Sequence, residues 1–212
     1  MLWIIGTSAC TAWGLNSKED SWVEILARKL NQPVTNLAAE APDNFFLYST
    51  YLDIKDKLKD DDILIFNWSH PWRKSFVIDP DNPKQQKILD KSLRYATSTH
   101  QFMRSKGTSA PDNGSKWLSM SPINGGLKYY DNWFADYFSE HEQSCNFQAY
   151  HDSVVSTVPC QYLPFYFSKD SIKDITPLND LFVLDFALDI NYVISDNNNH
   201  LDKDGHIYWA EI

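Results

Sequence analysis

The sequence predicts an α/β fold in which a parallel sheet of about five strands lies between two layers of helices. Short, continuously apolar segments at 2–5 and 63–66 are typical of strands that are covered on both faces. Amphipathic helical patterns stand between such segments, as crossovers between neighbouring parallel strands require. The 212 residues suffice for one domain of this kind.

The first third of the chain alternates strand and helix patterns. Ser17 and the acidic residues after it predict the start of a helix that carries Trp22 and Leu30 on its apolar face. Asn44 opens a second predicted helix. Strands are predicted at 2–5, 34–37 and 63–66. This sequential order is typical of a flavodoxin-like three-layer sandwich.

The remainder is less regular, and we expect one domain over residues 1–212 with an irregular insertion around 104–127. The segment 106–126 is rich in Gly, Ser, Pro and Asn, which indicates either a long surface loop near a binding site or disorder. A loop is predicted at 72–83, helices at 85–103, 129–156 and 202–212, a strand at 161–167, and a fifth strand or short helix at 181–184. In the last helix, Ile207 and Ala210 are expected to pack inward.

Composition restricts the function. The formal net charge of −9 disfavours nucleic acid and anionic lipid as partners. Aromatic residues make up 15% of the chain, which indicates either a bulky core or a groove for sugar rings or acyl chains. The oligomeric state stays open.

The three cysteines are too widely spaced for a metal-type pair or a disulfide framework, and they are interpreted as reduced thiols. The N-terminal apolar run is too short for a signal peptide, so synthesis in the cytoplasm is expected. No segment has the length needed to span a bilayer. No metal and no cofactor are predicted.

Polar groups follow several predicted strands at the same edge of the sheet. Ser8 follows the first strand, the segment 41–44 the second, 67–70 the third, and His200 the last. The carboxyl ends of parallel strands meet at one edge, where ligands bind in open α/β sheets. A serine needs a base to accept its proton and donors to hold an oxyanion. The sequence therefore places the parts of a nucleophilic site together.

Three segments resemble the blocks of the SGNH or GDSL hydrolase family. The segment 6–8 (Gly-Thr-Ser) resembles the first block, with Thr7 at the Asp position. The segment 36–44 (Asn-Leu-Ala-Ala-Glu-Ala-Pro-Asp-Asn) resembles the second block, and 200–206 (His-Leu-Asp-Lys-Asp-Gly-His) resembles the last. The resemblance covers residues 2–67 and 182–212.

The resemblance implies a three-layer α/β/α fold and hydrolysis of carboxylic esters, often acetyl groups on sugars. It also implies that Ser8 is the nucleophile and that His200 is the general base. The backbone N–H groups of Ser8 and Ala41 would hold the oxyanion.

The chain departs from the family pattern at three places. Asn197 stands where the family has an Asp, and Asp196, one residue earlier, would orient His200 instead. The Gly-x-Asn-Asp block is absent, which puts Ser69 at the position of its Asn as an oxyanion donor. Ala41 replaces a glycine.

The segment 66–73 is similar to a divergent SGNH-like branch of phages and marine bacteria. Substrate-binding roles are assigned to Asn44, Trp68, His70 and Arg73. Arg73 would bind a carboxylate on an acidic sugar, or it anchors a surface loop. The main prediction is a serine esterase that removes short acyl groups from a carbohydrate. A weak or inactive protein that binds carbohydrate or is associated with phage particles is the alternative.

Overall fold

A parallel sheet organises the chain in the computed structural model. The structure describes residues 1–12, 15–39, 42–69, 73–78, 82–84, 116–120, 139–166, 182–183, 193–194, 200–201 and 203–211. For 75–78, 116–120, 140, 166, 182–183, 193–194 and 200–201 the description is limited to the backbone. The elements in chain order are β1 (Leu2–Ile5), α1 (Trp22–Leu30), β2 (Val34–Asn36), α2 (Asn44–Ile54), β3 (Ile63–Trp68), β4 (Lys74–Ile78), β5 (Lys116–Met120), α3 (Glu140–Thr157), β6 (Gln161–Tyr166), β7 (Phe182–Val183), β8 (Val193–Ile194), β9 (His200–Leu201) and α4 (Lys203–Trp209).

Five of the described strands form the main sheet, in the order β2-β1-β3-β6-β7. Every pairing in it is parallel, and β1 pairs with both β2 and β3. This is the flavodoxin-like order, in which the chain starts near the centre and the second strand lies at one edge. The predicted fold class is therefore confirmed, and β7 is the fifth strand.

The two faces of the sheet carry separate apolar cores, which defines the three layers. Trp3 and Ile5 of β1 pack with residues of α2 and α3, and Leu2 and Ile4 pack on the opposite face with residues of α1. All four side chains are 7% exposed or less. This alternation explains why β1 is continuously apolar, because successive side chains point to opposite, equally covered faces.

Helix α1 begins four residues later than predicted. Ser17 caps a separate 3₁₀ turn at Lys18–Asp20, and its side chain accepts a hydrogen bond from the N–H of Glu19. Ser21 is the actual cap of α1, because its side chain accepts from the N–H of Glu24. Both serines have capping chemistry, and the acidic residues between them occupy their own short turn.

Helix α4 closes the face that α1 covers. The Nδ1 atom of the buried His206 accepts a hydrogen bond from the N–H of Trp22, at 3.1 Å, and so ties the two ends of the chain together. A backbone N–H can only donate, so Nδ1 here is the acceptor of a neutral ring. Ala210 packs inward as predicted, whereas Ile207 is 38% exposed and its predicted burial is wrong.

The middle of the chain contains an antiparallel pair that the sequence did not reveal. Strand β4 lies within the predicted loop 72–83, and β5 lies within the predicted irregular insertion. They pair with each other, Lys74 opposite Met120. The partners are about forty residues apart, so local composition alone could not indicate the pairing. The predicted helix 85–103 lies outside the described residues.

The buried carboxylate of Asp62, directly before β3, binds several donors. Asp62, which is 4% exposed, accepts hydrogen bonds from the indole of Trp3 at 3.0 Å, the N–H of Lys59 at 3.0 Å and the amino group of Met1 at 2.8 Å. Burial alone would raise the pKa of Asp62, but these donors outweigh burial and hold it below its ordinary value.

Candidate active site

Ser8 lies on a short turn at the carboxyl end of β1. After β1 ends at Ile5, residues Ser8–Cys10 form a single 3₁₀ turn. The Thr7 side chain caps this turn by accepting from the N–H of Ala9, and the carbonyl of Ser8 accepts from the N–H and the hydroxyl of Thr11 at 3.1 and 2.7 Å. The strand-to-turn serine predicted from the sequence is therefore formed.

Two buried asparagines hold this serine turn from opposite sides. Asn67 of β3 accepts hydrogen bonds through Oδ1 from the N–H and the hydroxyl of Thr7, at 3.1 and 2.6 Å. Asn36 of β2 donates through Nδ2 to the carbonyl of Cys10, at 2.7 Å. Because β2 and β3 flank β1, the turn is fixed by side chains from both neighbouring strands.

Sequence reasoning missed the roles of Asn36 and Asn67. Each amide is 6% exposed or less. A buried amide needs hydrogen-bond partners, so a polar residue inside or at the end of an apolar strand is itself a signal. The hydrogen-bond partner of Asn67 could not be predicted from the local sequence, because Thr7 lies 60 positions from Asn67.

Gly6 allows β1 to approach the turn closely. A Cβ atom at this position would lie 2.6 Å from the Sγ of Cys10 and 2.9 Å from the Cβ of Asn67. The Cys10 side chain is completely buried. Burial raises the pKa of its thiol, while a backbone hydrogen bond from Thr7 acts weakly in the other direction. Cys10 is therefore a protonated residue of the buried core.

The two groups of Ser8 that a nucleophile uses are not engaged elsewhere. Among the residues that the structure describes, no hydrogen bond joins the Ser8 hydroxyl or its N–H to another group. The residue is partly exposed at the edge of the sheet. The first N–H groups of a helical turn have no partner inside the turn and can donate to an anionic oxygen. Both a hydroxyl and an oxyanion donor are thus available at one residue.

His200 lies in a short strand rather than in the predicted loop. Strand β9 pairs with β8 so that His200 stands opposite Ile194. The backbone of β9 also lies against the Ser8–Cys10 turn, with Cα atoms of the two segments within 8 Å of each other. The side chain of His200 lies outside the described part of the structure, as do Ala41, His70 and Asp196.

Ser69 has a structural role that differs from the prediction. Its hydroxyl donates to the carbonyl of Pro42, and its N–H donates to the Oδ1 of Asn44 at 2.8 Å. The residue is 1% exposed. Both of its protons are therefore used to anchor the segment before α2 to the end of β3. This arrangement contradicts the predicted role of Ser69 as an oxyanion donor.

Trp68 is a core residue, which contradicts its predicted substrate-binding role. It is 1% exposed, stacks on Phe66 with 4.1 Å between ring centroids, and donates from its indole to the hydroxyl of Tyr162 at 3.1 Å. Burial raises the pKa of that phenol, with the indole hydrogen bond opposing it, so Tyr162 stays protonated. The interpretation of the aromatic residues as core holds for these three.

Asn44 and Arg73 lie in one cleft at the sheet edge that also carries Ser8. The cleft is shallow and partly open to solvent, and its cavity volume is about 10 Å³, roughly the space that one water molecule needs. It is lined by Asp43, Asn44, Phe45, Arg73, Lys74, Gln143, Asn146, Phe147 and Tyr150. Two of the four predicted substrate-binding residues therefore meet in a concave site.

Among the described residues, no cluster of three or more His, Cys, Asp or Glu side chains could hold a metal ion. Within the same part of the chain, no helix combines the length and the apolar character needed to cross a membrane.

The fold and the serine turn together define an α/β protein with a serine at the carboxyl edge of its sheet. The chain matches no family model and no curated protein. Among solved structures it is similar to a candidate lipolytic protein of the G-D-S-L family from Desulfitobacterium hafniense DCB-2. The TM-score is 0.50 at 14% sequence identity, over 99% of this chain and 95% of that one. At this identity the likeness shows a shared fold, and it says nothing of the phage and marine-bacterial branch.

Proposed function

We propose that the protein is an ester hydrolase in which Ser8 is the nucleophile, His200 the general base and Asp196 the group that orients His200. One observation carries the proposal. Within the described part of the chain, the hydroxyl and the N–H of Ser8 are not engaged by other groups, and the strand that contains His200 lies against the turn of Ser8. The fold shared with a candidate lipolytic protein supports the same reaction class.

The proposed reaction follows from these groups. His200 accepts the proton of Ser8 as Oγ attacks the ester carbonyl, and the carbonyl oxygen becomes an oxyanion. The N–H groups of Ser8 and Ala41 donate to that oxyanion, and one such donor is typically worth about 10²–10³ in turnover. His200 then gives the proton to the leaving alcohol. Water attacks the acyl group by the same route, which releases the acid and restores Ser8.

Asp196 is the proposed orienting group because a carboxylate stabilises the imidazolium that forms during the attack. An amide in that position favours the wrong tautomer, and in serine proteases such a replacement costs about 10⁴ in turnover. Asn197 stands where the SGNH family has its Asp, and this observation favours a second candidate function. In that case the protein binds an acylated carbohydrate without hydrolysing it.

The experiment compares hydrolysis of p-nitrophenyl acetate by the wild type, Ser8→Ala and the control Ser156→Ala. Ser156 lies near the end of α3, towards the opposite edge of the sheet, and is exposed. We expect Ser8→Ala to lose at least about 10³-fold in kcat with an unchanged melting temperature, because the nucleophile itself is removed. The control should keep wild-type activity.

Equal rates for the wild type and Ser8→Ala would overturn the proposal. An inert wild type that binds O-acetylated sugars equally well with and without Ser8 would favour the second candidate. Replacement of Asp196 by Asn should lower kcat if Asp196 orients His200. The same replacement should leave kcat unchanged if another group has that role.

A further inference from the structure

Trp22 makes two hydrogen bonds that lead to different parts of the candidate active site. Its indole Nε1 donates to the carbonyl of Ala9, the residue directly after Ser8, at 2.8 Å. Its backbone N–H donates to the Nδ1 of His206 in α4, at 3.1 Å. One residue at the start of α1 therefore contacts both the turn that carries Ser8 and the C-terminal helix.

The place of Trp22 in α1 explains why its backbone N–H can bind another element. Trp22 is the first residue of α1, and the first N–H groups of an α-helix have no partner inside the helix. The N–H of Trp22 instead binds His206, 184 positions further along the chain. The two residues are 4% and 2% exposed. Loss of the acceptor would leave a buried donor unsatisfied, which is costly, so this bond constrains α4.

Ring contacts hold the side chain of Trp22 in the orientation that its indole bond requires. The ring lies 6.1 Å from that of Trp209 in α4 and 6.2 Å from that of Phe165 in β6, between centroids. Phe165 and Trp209 contact each other at 5.9 Å, which completes a cluster of three rings on the α1 face of the sheet. Packing as well as hydrogen bonding therefore directs the indole N–H to Ala9.

Helix α4 continues from the strand that contains His200. Strand β9 ends at Leu201 and α4 begins at Lys203, so one residue separates the two elements. Helix α4 also lies against β9, and β9 lies against the Ser8–Cys10 turn. A displacement of α4 would therefore move the backbone of His200 relative to this turn.

Two exposed lysines also join α4 to its neighbours. The Nζ of Lys203 lies 3.0 Å from the Oδ1 of Asp20, and the Nζ of Lys29 donates to the carbonyl of Ala210 at 3.3 Å. Polar contacts of exposed lysines contribute little, because water and salt compete with them. The bond from Trp22 is shielded from water, and we expect it to hold α4 more firmly than these contacts do.

We propose that Trp22 is a positioning residue of the proposed esterase, which aligns the turn of Ser8 with the segment that carries His200. Trp22 acts through Ala9 on one side and through His206 on the other. The inference rests on the proposed function for its effect on the reaction. Proton transfer from a serine to a histidine requires a short distance between them, and a misplacement of about 1 Å can lower the rate about 10²-fold.

The first test measures the turnover of p-nitrophenyl acetate. Trp22→Phe removes the indole N–H and keeps both an aromatic ring and the backbone bond to His206. We expect this variant to lower kcat at least about tenfold, with KM within about twofold of the wild type, because the reacting groups and not substrate binding are affected.

Trp3→Phe is the matched control for this test. Trp3 is also buried, and its indole donates to Asp62 at 3.0 Å on the opposite face of the sheet. The melting temperature of Trp3→Phe should fall at least as far as that of Trp22→Phe, because the lost bond has a charged acceptor. Its kcat should nevertheless equal that of the wild type.

The second test changes the acceptor of the backbone N–H. His206→Leu fills the space of the ring without an acceptor, whereas His206→Asn keeps an oxygen that can accept near the place of Nδ1. We expect His206→Leu to lower kcat about tenfold and His206→Asn to restore most of the loss. If His206→Leu does not fold, the comparison of Trp22→Phe with Trp3→Phe decides the proposal.

Hydrogen exchange followed by mass spectrometry tests the same link without any reaction. Trp22→Phe should speed exchange in peptides that cover residues 6–12 and in peptides that cover 200–211, whereas Trp3→Phe should change neither set. If hydrolysis by the wild type does not depend on Ser8, the proposed function fails. In that case the exchange rates alone decide whether Trp22 joins the two segments.

Three results would overturn the proposal. The first is a kcat that is unchanged in Trp22→Phe or that falls equally in Trp3→Phe, since the effect would then follow general stability. The second is unchanged exchange of both segments in Trp22→Phe. The third is a kcat of His206→Asn as low as that of His206→Leu, since the acceptor would then have no role in alignment.

Discussion

Replacement of Asn67 by alanine should destabilise the protein strongly, because the side-chain amide of Asn67 accepts the hydrogen bonds that hold the cap of the Ser8 turn, Thr7. Its Oδ1 accepts from the N–H and the hydroxyl of Thr7, and its Nδ2 donates to the carbonyl of Trp68 at 3.3 Å. A buried donor left without an acceptor costs about 1–3 kcal/mol. The Thr7 hydroxyl can rotate, whereas the Thr7 N–H cannot. We therefore expect Asn67→Ala to lower the free energy of unfolding by about 3 kcal/mol, part of it from the cavity.

Urea denaturation monitored by tryptophan fluorescence measures this loss. Asn16→Ala is the matched control, since Asn16 is exposed and a surface substitution should stay within about 0.5 kcal/mol. If Ser8 is the nucleophile, as proposed, ester hydrolysis by Asn67→Ala, measured well below its melting temperature, should also fall by about 10²-fold, because a small displacement of a nucleophile is costly. A free energy of unfolding equal to that of the control would refute the role given to Asn67.

Two further predictions concern residues beside the two neighbouring strands β1 and β3. Gly6→Ala should lower the free energy of unfolding by about 2 kcal/mol through overpacking against Cys10. In the double variant Gly6→Ala/Cys10→Ala, the loss of unfolding free energy should be smaller than the sum of the losses in the two single variants. Asp62 stabilises the fold most above its ordinary pKa of 3.8, and this contribution is lost as the pH falls below that value through the lowered pKa of the folded state. The stability difference between wild type and Asp62→Asn should therefore shrink between pH 5 and about 2, and a constant difference would contradict the lowered pKa.

The fold could be predicted where local patterns reflect the local environment. The continuous apolar run 2–5 predicts a strand that is covered on both faces, and β1 lies at these residues. The start of α1 was misplaced because Ser17 and Ser21 have the same capping chemistry. Strands β4 and β5 were missed because their stability depends on pairing with each other, which no local pattern records.

The candidate site could be predicted less completely. Ser8 followed from an apolar strand that ends in small residues, since that geometry is local. Trp68 was misassigned because the predicted strand stopped at Phe66. Extending the strand by two residues places Trp68 on the same face as Leu64 and Phe66, in the core. Ser69 was misassigned because its partner, Pro42, lies 27 positions away.

The amide side chains of Asn36 and Asn67 make the position of Ser8 depend on the whole sheet. Asn36 and Asn67 reach the turn from the strands on either side of β1, so the turn acquires its shape when three separate segments have aligned. A partly unfolded chain in which β2 or β3 has detached therefore presents an ordinary, unaligned serine. When the sheet loses its integrity, the proposed nucleophile therefore loses its alignment as well, and we expect a partly unfolded molecule to have no Ser8-dependent hydrolysis.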